Sequence, residues 1–224
     1  MLQTRYSFNF SESKALIDYL KSSGKEFSIE SGTINHSLFQ LKLPFCFKQI
    51  TLVENLYAAA EKAQSALFLL VQSGSAALGY SNNGELIHHK VIKKYMIRKK
   101  QGKAQLKHLN AKGKSRLGSR IRLQQADKFF NEIHEKIGEW GVLADTQQIY
   151  FSYAKTLIPF IYETPDRPIL KKDDPRLFKL PFDLEEPNFK TLQFMNKTVH
   201  KSILIIENEM GKDFFNPFLQ QLNK

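Results

Sequence analysis

"ALFLLVQSGSAALGYSNNGELIHHKVIKKYMI", residues 66–97, decides the fold. Three apolar runs of strand length succeed one another in it: "ALFLLV", "SAALGY" and "ELIHHKVIKKYMI", the last rich in β-branched and aromatic residues. The punctuation between them is that of hairpins. Asn83-Gly84 suits a type I′ turn, which needs positive φ at both central residues, so the second and third runs are predicted to be antiparallel neighbours. "QSGS" at 72–75 turns the first run into the second. "GSAALG" lacks the Gly-Lys-Ser/Thr ending and the strand-to-helix context of a phosphate loop, so it is read as part of the hairpin.

The segment after these strands is basic. Between Glu85 and Asp127 there is no acidic residue, yet the interval holds 13 of the chain's 33 Lys and Arg. The remainder carries 20 bases against 22 acids, so the net charge of +11 belongs to one segment of a near-neutral body. Charge concentrated in this way points to a polyanion, most simply nucleic acid, rather than to general solubility. Residues 99–113 are rich in Lys and Gly without apolar periodicity and read as an exposed loop. Leu117, Ile121, Ala126, Phe129, Phe130, Ile133, Ile137 and Trp140 then recur at helical spacing, predicting a long amphipathic helix over about 117–140. Arg116, Arg120 and Arg122 cluster at its N-terminal end, where free N–H groups and the positive dipole end favour phosphate.

Outward from there, "SESKALIDYLKSSGK" predicts a short helix ending at Gly24, and "TLVENLYAAAEKAQSA" a second helix. "EFSIESGTINHSLFQLKL", between them, alternates weakly and suits strands. "QIYFSYA" reads as a buried strand, Pro159 to Pro187 as an extended, turn-rich segment, 188–200 as a helix and "SILIIE" as an apolar strand. The expected fold class is α/β, organised as an N-terminal α/β elaboration over 1–63 packed on the core, a main domain over 64–205 and a C-terminal tail over 206–224. The single cysteine, Cys46, excludes an internal disulfide framework, and no Cys/His cluster has zinc-site spacing. The start "MLQTRYSFNFSESK" lacks signal-peptide character, and no stretch approaches the roughly 18 apolar residues of a span. A cytoplasmic protein without membrane, metal or cofactor, acting as a monomer, is expected.

No Ser/His/Asp set or carboxylate pair presents itself. His88 and His89 are adjacent in a strand, so at most one faces a site; His108 lies in the basic loop. Gln101 and Gln105 remain. A glutamine amide is no base at neutral pH, but it donates and accepts hydrogen bonds, so it can orient water or hold a developing oxyanion. Set among cations, it suits attack by water on an ester carried by a polyanion. Gly102 permits close backbone approach beside it.

The order of features, a hairpin, a strand ending in "HHKVIKKYMIRKKQGKAQ", a basic loop, "LGSRIR" and a long helix, resembles the middle domain of the eukaryotic and archaeal peptide-chain release factors. It is more closely similar to the ribosome quality-control branch of that superfamily, the ankyrin-repeat and zinc-finger peptidyl-tRNA hydrolases. The matching positions are His89, Lys90, Tyr95, Arg98, Lys100, Gln101, Gly102, Gln105, Gly118 and Arg122, then Asp174, Pro175, Arg176, Pro181, Phe182 and Pro187. The resemblance covers about 64–205 and implies an RNase H-like mixed sheet followed by a catalytic loop and a long helix. It implies Gln105 as the catalytic residue, with Gln101 and Gly102 shaping the loop. Lys103 and Ala104 stand where that family usually has glycine and serine before the glutamine.

The implied activity is peptidyl-tRNA hydrolysis on stalled large-subunit nascent-chain complexes, with the large ribosomal subunit and peptidyl-tRNA as partners. Lys90, Arg98, Lys99, Lys100, Lys103, Lys107, Lys112, Lys114, Arg116, Arg120 and Arg122 are the expected RNA-binding residues. Two other readings stand beside it. A tRNA 3′-end endonuclease would draw on His89 or His108 as proton carrier, and a non-catalytic ribosome- or RNA-binding factor would use the charge alone.

Overall fold

The computed structural model describes residues 4–222 apart from 73, 95–113, 164, 165, 167, 182, 183 and 185, with 114–125 described by backbone alone. The chain divides into two compact units, one of residues 1–65, 81–86 and 193–224, the other of 66–80 and 87–192.

In the first unit, β1 (Thr4–Phe8), β2 (Ser28–Glu30), β3 (Thr33–His36), β4 (Phe39–Lys42) and β10 (Ser202–Ile206) form an antiparallel sheet in the order β1-β10-β4-β3-β2. The weak alternation read over 26–43 is therefore three strands, and "SILIIE" pairs with both β1 and β4. Helix α1 (Phe10–Ser22) begins at a capping box, in which the Asn9 side chain accepts from the Glu12 N–H and the Glu12 carboxylate accepts from the Asn9 N–H. It buries Leu16, Ile17 and Leu20 against Leu56 and Ala60 of α2 (Val53–Glu61) and Phe215 and Phe218 of α6 (Glu209–Leu222). Residues 206–224 thus hold a helix whose apolar stripe fills this core. No short-range signal in a C-terminal segment reveals which core receives it.

The second unit is built on a mixed sheet in the order β7-β6-β5-β8-β9. Its strands are β5 (Ser65–Gln72), β6 (Ser75–Asn82), β7 (Glu85–Lys93), β8 (Gln148–Ser152) and β9 (Leu177–Lys179). As predicted, the turn between β6 and β7 has φ of 50° at Asn83 and 81° at Gly84, the I′ pattern. β5 pairs in parallel with β8, and β8 with β9. Leu67, Leu69 and Val71 of β5 face Phe129, Phe130, Ile133 and Ile137 of the long helix α3 (Lys114–Trp140), within one core cluster. Phe68, on the opposite face of β5, packs its ring 5.4 Å from Tyr150, which in turn meets Phe178 at 5.9 Å. Five-residue α4 (Ile158–Tyr162) and helix α5 (Phe189–Val199) complete the described helices. Among the described residues no helix is long and apolar enough to cross a membrane.

Buried His134 on α3 is held as the neutral Nε2–H tautomer: its Nδ1 accepts from the Ile169 N–H at 3.1 Å, and Nε2–H donates to the Ile161 carbonyl at 2.7 Å. Burial pushes its pKa down, as it does for His200 in the first unit. A histidine whose folded pKa lies below its unfolded value stabilises the fold fully above about pH 6.5, and that contribution is lost as the pH falls below this and the unfolded chain takes up protons. The denaturation midpoint should therefore fall between pH 7 and 5, and His134→Gln should flatten the fall; a midpoint that rises on acidification would contradict this assignment.

Candidate nucleic-acid interface at the carboxyl edge of the second sheet

Chain direction sets the geometry. β6 returns antiparallel to β5 and β7 returns antiparallel to β6, so β7 runs the same way as β5, β8 and β9, and all four end at one edge. The Lys94 N–H donates to the Gly74 carbonyl at 2.9 Å, which pins the end of β7 to the β5–β6 turn at that edge. The basic segment leaves from here. Its residues Arg98, Lys99, Lys100, Gln101, Gly102, Lys103, Gln105, Lys107, His108 and Lys112, with Tyr95, lie outside the described residues. Lys114, Arg116, Gly118, Arg120 and Arg122 lie on the first turns of α3.

The helix runs antiparallel to β7. The Lys94 ammonium pairs with Glu132 at 2.7 Å at the strand's end, while the Trp140 ring stacks 5.6 Å from His88 farther back. The turns of α3 that precede Phe129, the first residue packed on the sheet, therefore run toward this edge and beyond it. Lys93 pairs with Glu186 at 2.8 Å. Two of the 13 bases thus find acids from distant parts of the sequence, which a linear reading of charge could not show. Lys90 is exposed.

The histidines separate as strand alternation requires. His88 is half-buried between the Tyr80 and Trp140 rings, at 6.2 and 5.6 Å, and serves packing. His89 is exposed and tilted against the Phe189 ring at 4.5 Å. It lies four residues, about 13 Å, before the end of β7.

Leu184, Glu186 and Pro187 lie along this same edge. Gln72 Nε2 donates to the Leu184 carbonyl at 2.5 Å, Ser75 Oγ to the Pro187 carbonyl at 2.9 Å, and Glu186 takes Lys93. The Asp-Pro-Arg run is a joint. Arg176 donates from Nε and Nη2 to the Asp174 carboxylate at 2.9 and 2.7 Å, and from Nη1 to the Leu143 and Thr146 carbonyls at 2.7 and 2.9 Å. This clamps the turn after α3 to the start of β9, and the guanidinium holds the Asp174 carboxyl below its usual range. Phe182 lies outside the described residues.

At the opposite, carboxyl edge, Val71, Gln72, Ser152, Tyr153, Lys155, Lys179 and Leu180 line a cleft of about 650 Å³. It opens where the parallel strands β5, β8 and β9 end, the usual ligand position on open α/β sheets. Reasoning from sequence misses Lys155 and Lys179; the signal that could have found them is their position, Lys155 just after the strand pattern "QIYFSYA" and Lys179 as the last residue of "LFK". Among the described residues no group of three or more His, Cys, Asp and Glu could hold a metal ion.

A mixed sheet whose third strand feeds a basic segment and then a long helix is the organisation expected of a release-factor middle domain. Residues 66–205 match the family described as Bacteroidetes VLRF1 release factor, and this chain belongs to that family. The matched span contains the Gln-Gly-x-x-Gln run, α3 and the Asp-Pro-Arg joint. The chain is also similar to a solved structure titled "Vms1 mitochondrial localization core", at 14% identity and a TM-score of 0.48, over 87% of this chain and 83% of that one. Among curated proteins none matches the chain.

Arg176→Ala should remove four side-chain hydrogen bonds at once, two to the Leu143 and Thr146 carbonyls and two to the Asp174 carboxylate. A loss of about 2–3 kcal/mol is expected in urea denaturation, with Arg176→Lys recovering only part because it lacks the planar fork.

Proposed function

We propose that the protein is a peptidyl-tRNA hydrolase of ribosome quality control, acting in the cytoplasm on nascent chains stalled on the large ribosomal subunit. The observation that carries this reading is the match of residues 66–205, Gln-Gly-x-x-Gln run included, to a release factor family. The concentration of 13 bases between Glu85 and Asp127 supports it, since rRNA and tRNA present phosphates in quantity.

In the proposed mechanism Arg98, Lys99, Lys100, Lys103, Lys107 and Lys112, with Lys90 and the α3 residues Lys114, Arg116, Arg120 and Arg122, contact phosphates. Gln105 donates and accepts hydrogen bonds to hold a water against the ester carbonyl, while Gln101 and Gly102 set the backbone beside it. Water adds to the carbonyl carbon, the acyl–oxygen bond breaks, and the proton passes to the departing 3′ oxygen of the tRNA. An amide cannot take up that proton, so the RNA hydroxyls of the bound complex carry it.

Gln105→Ala should lower the rate of peptide release from stalled 50S–peptidyl-tRNA by about 100-fold or more while ribosome binding persists. Release at the parent rate would exclude Gln105 from chemistry. Sequencing the tRNA product separates ester hydrolysis, which leaves an intact 3′ end, from phosphodiester cleavage with His89 or His108 as proton carrier. Binding should weaken with salt at a log–log slope near 0.7–0.9 per phosphate contact, and a flat response would remove the basic segment as the RNA-binding surface.

A further inference from the structure

We propose that the cleft at the carboxyl edge of β5, β8 and β9 is a nucleotide-binding subsite that holds the unpaired, phosphate-bearing 3′ end of an RNA. This rests on the reading of the protein as acting on tRNA and adds a second contact surface to it, built from residues outside the basic segment.

The lining divides by chemistry. Lys155 and Lys179 are exposed, and neither forms an ion pair among the described residues. Among the described residues no acidic one lines the cleft. Pro181 and Leu184 supply apolar surface, and Tyr153 adds a half-buried ring stacked 4.5 Å from Phe151. The Tyr153 hydroxyl is engaged by Tyr162, and burial pushes its pKa far up, so it brings no negative charge. A cation pair beside an apolar and aromatic wall matches a nucleotide, with phosphate on the ammonium groups and base against the wall. The volume of about 650 Å³ is of the size that holds such a group.

Position supplies the second ground. β5 is two strands from β7, about 10 Å at the usual spacing, and both end at this edge. Gln105 is 11 residues beyond Lys94, a chain length able to span up to about 36 Å. A 3′ end seated in the cleft is therefore within reach of the glutamine proposed to act on the ester it carries.

The test is binding of a labelled single-stranded RNA ending in CCA to the full chain, by fluorescence anisotropy at low salt, with no ribosome present. Lys155→Ala/Lys179→Ala should weaken binding about tenfold and make the log–log salt slope shallower by about 0.7 for each phosphate no longer held. Lys171→Ala/Lys172→Ala removes the same charge from exposed positions outside the cleft and should change neither. Equal affinity for the parent and the cleft variant, at an unaltered melting temperature, would overturn the proposal. So would displacement of the RNA by an acidic peptide of equal charge as readily as by unlabelled RNA, or binding of AMP with no binding of the oligonucleotide. Failure here leaves the Gln105→Ala release experiment untouched, and failure there leaves this one untouched.

Discussion

The parallel pairing of β5 with β8 is the constraint on which the second unit depends. β5 is apolar at nearly every position from Ala66 to Val71 and is covered on both faces, so it sits inside the sheet and takes a neighbour on each side. One neighbour is its hairpin partner β6; the other, β8, runs parallel and is reached only after 75 residues of intervening chain. A parallel neighbour needs a crossover, and α3 provides it by burying Phe129, Phe130, Ile133 and Ile137 over β5. Burial of this apolar face outweighs the loop-closure cost, which grows only logarithmically with length.

From that pairing the functional edge arises. Because β5, β7, β8 and β9 point the same way, the departure of the basic segment, the end of the Pro-rich segment and the 650 Å³ cleft share one side of the sheet. The Lys93–Glu186 and Lys94–Glu132 pairs tie distant stretches to that side, while the Arg176 clamp joins the starts of β8 and β9 at the opposite edge. These pairs are partly exposed and each contributes little stability by itself; their value is positional.

Periodicity served well wherever short-range physics decides. The Asn83-Gly84 turn, α1 ending before Gly24, the α3 stripe, β8, α5 and β10 were legible as local patterns, because turn φ values and apolar spacing depend on neighbours in sequence. Lys155 and Lys179 were not, since an exposed lysine carries no local mark of what lies opposite. His88 and His89 were indistinguishable until packing set one between two rings and the other against Phe189. The likeness of "RKKQGKAQ" to a release-factor run was readable because it resides in side-chain order, and the family match over 66–205 bears out that recognition.

By itself the amino-acid sequence determined the hairpin, the long helix after a basic segment, the α/β class and the release-factor kinship, all of which reside in residue order and short-range spacing. Only tertiary structure decided that β10 lies between β1 and β4, that α6 fills the first core, and that three strand ends meet around a lysine-lined cleft. Those features arise from pairings between residues more than a hundred positions apart in some cases, such as Leu41 with Leu204, and such pairings leave no trace in local composition.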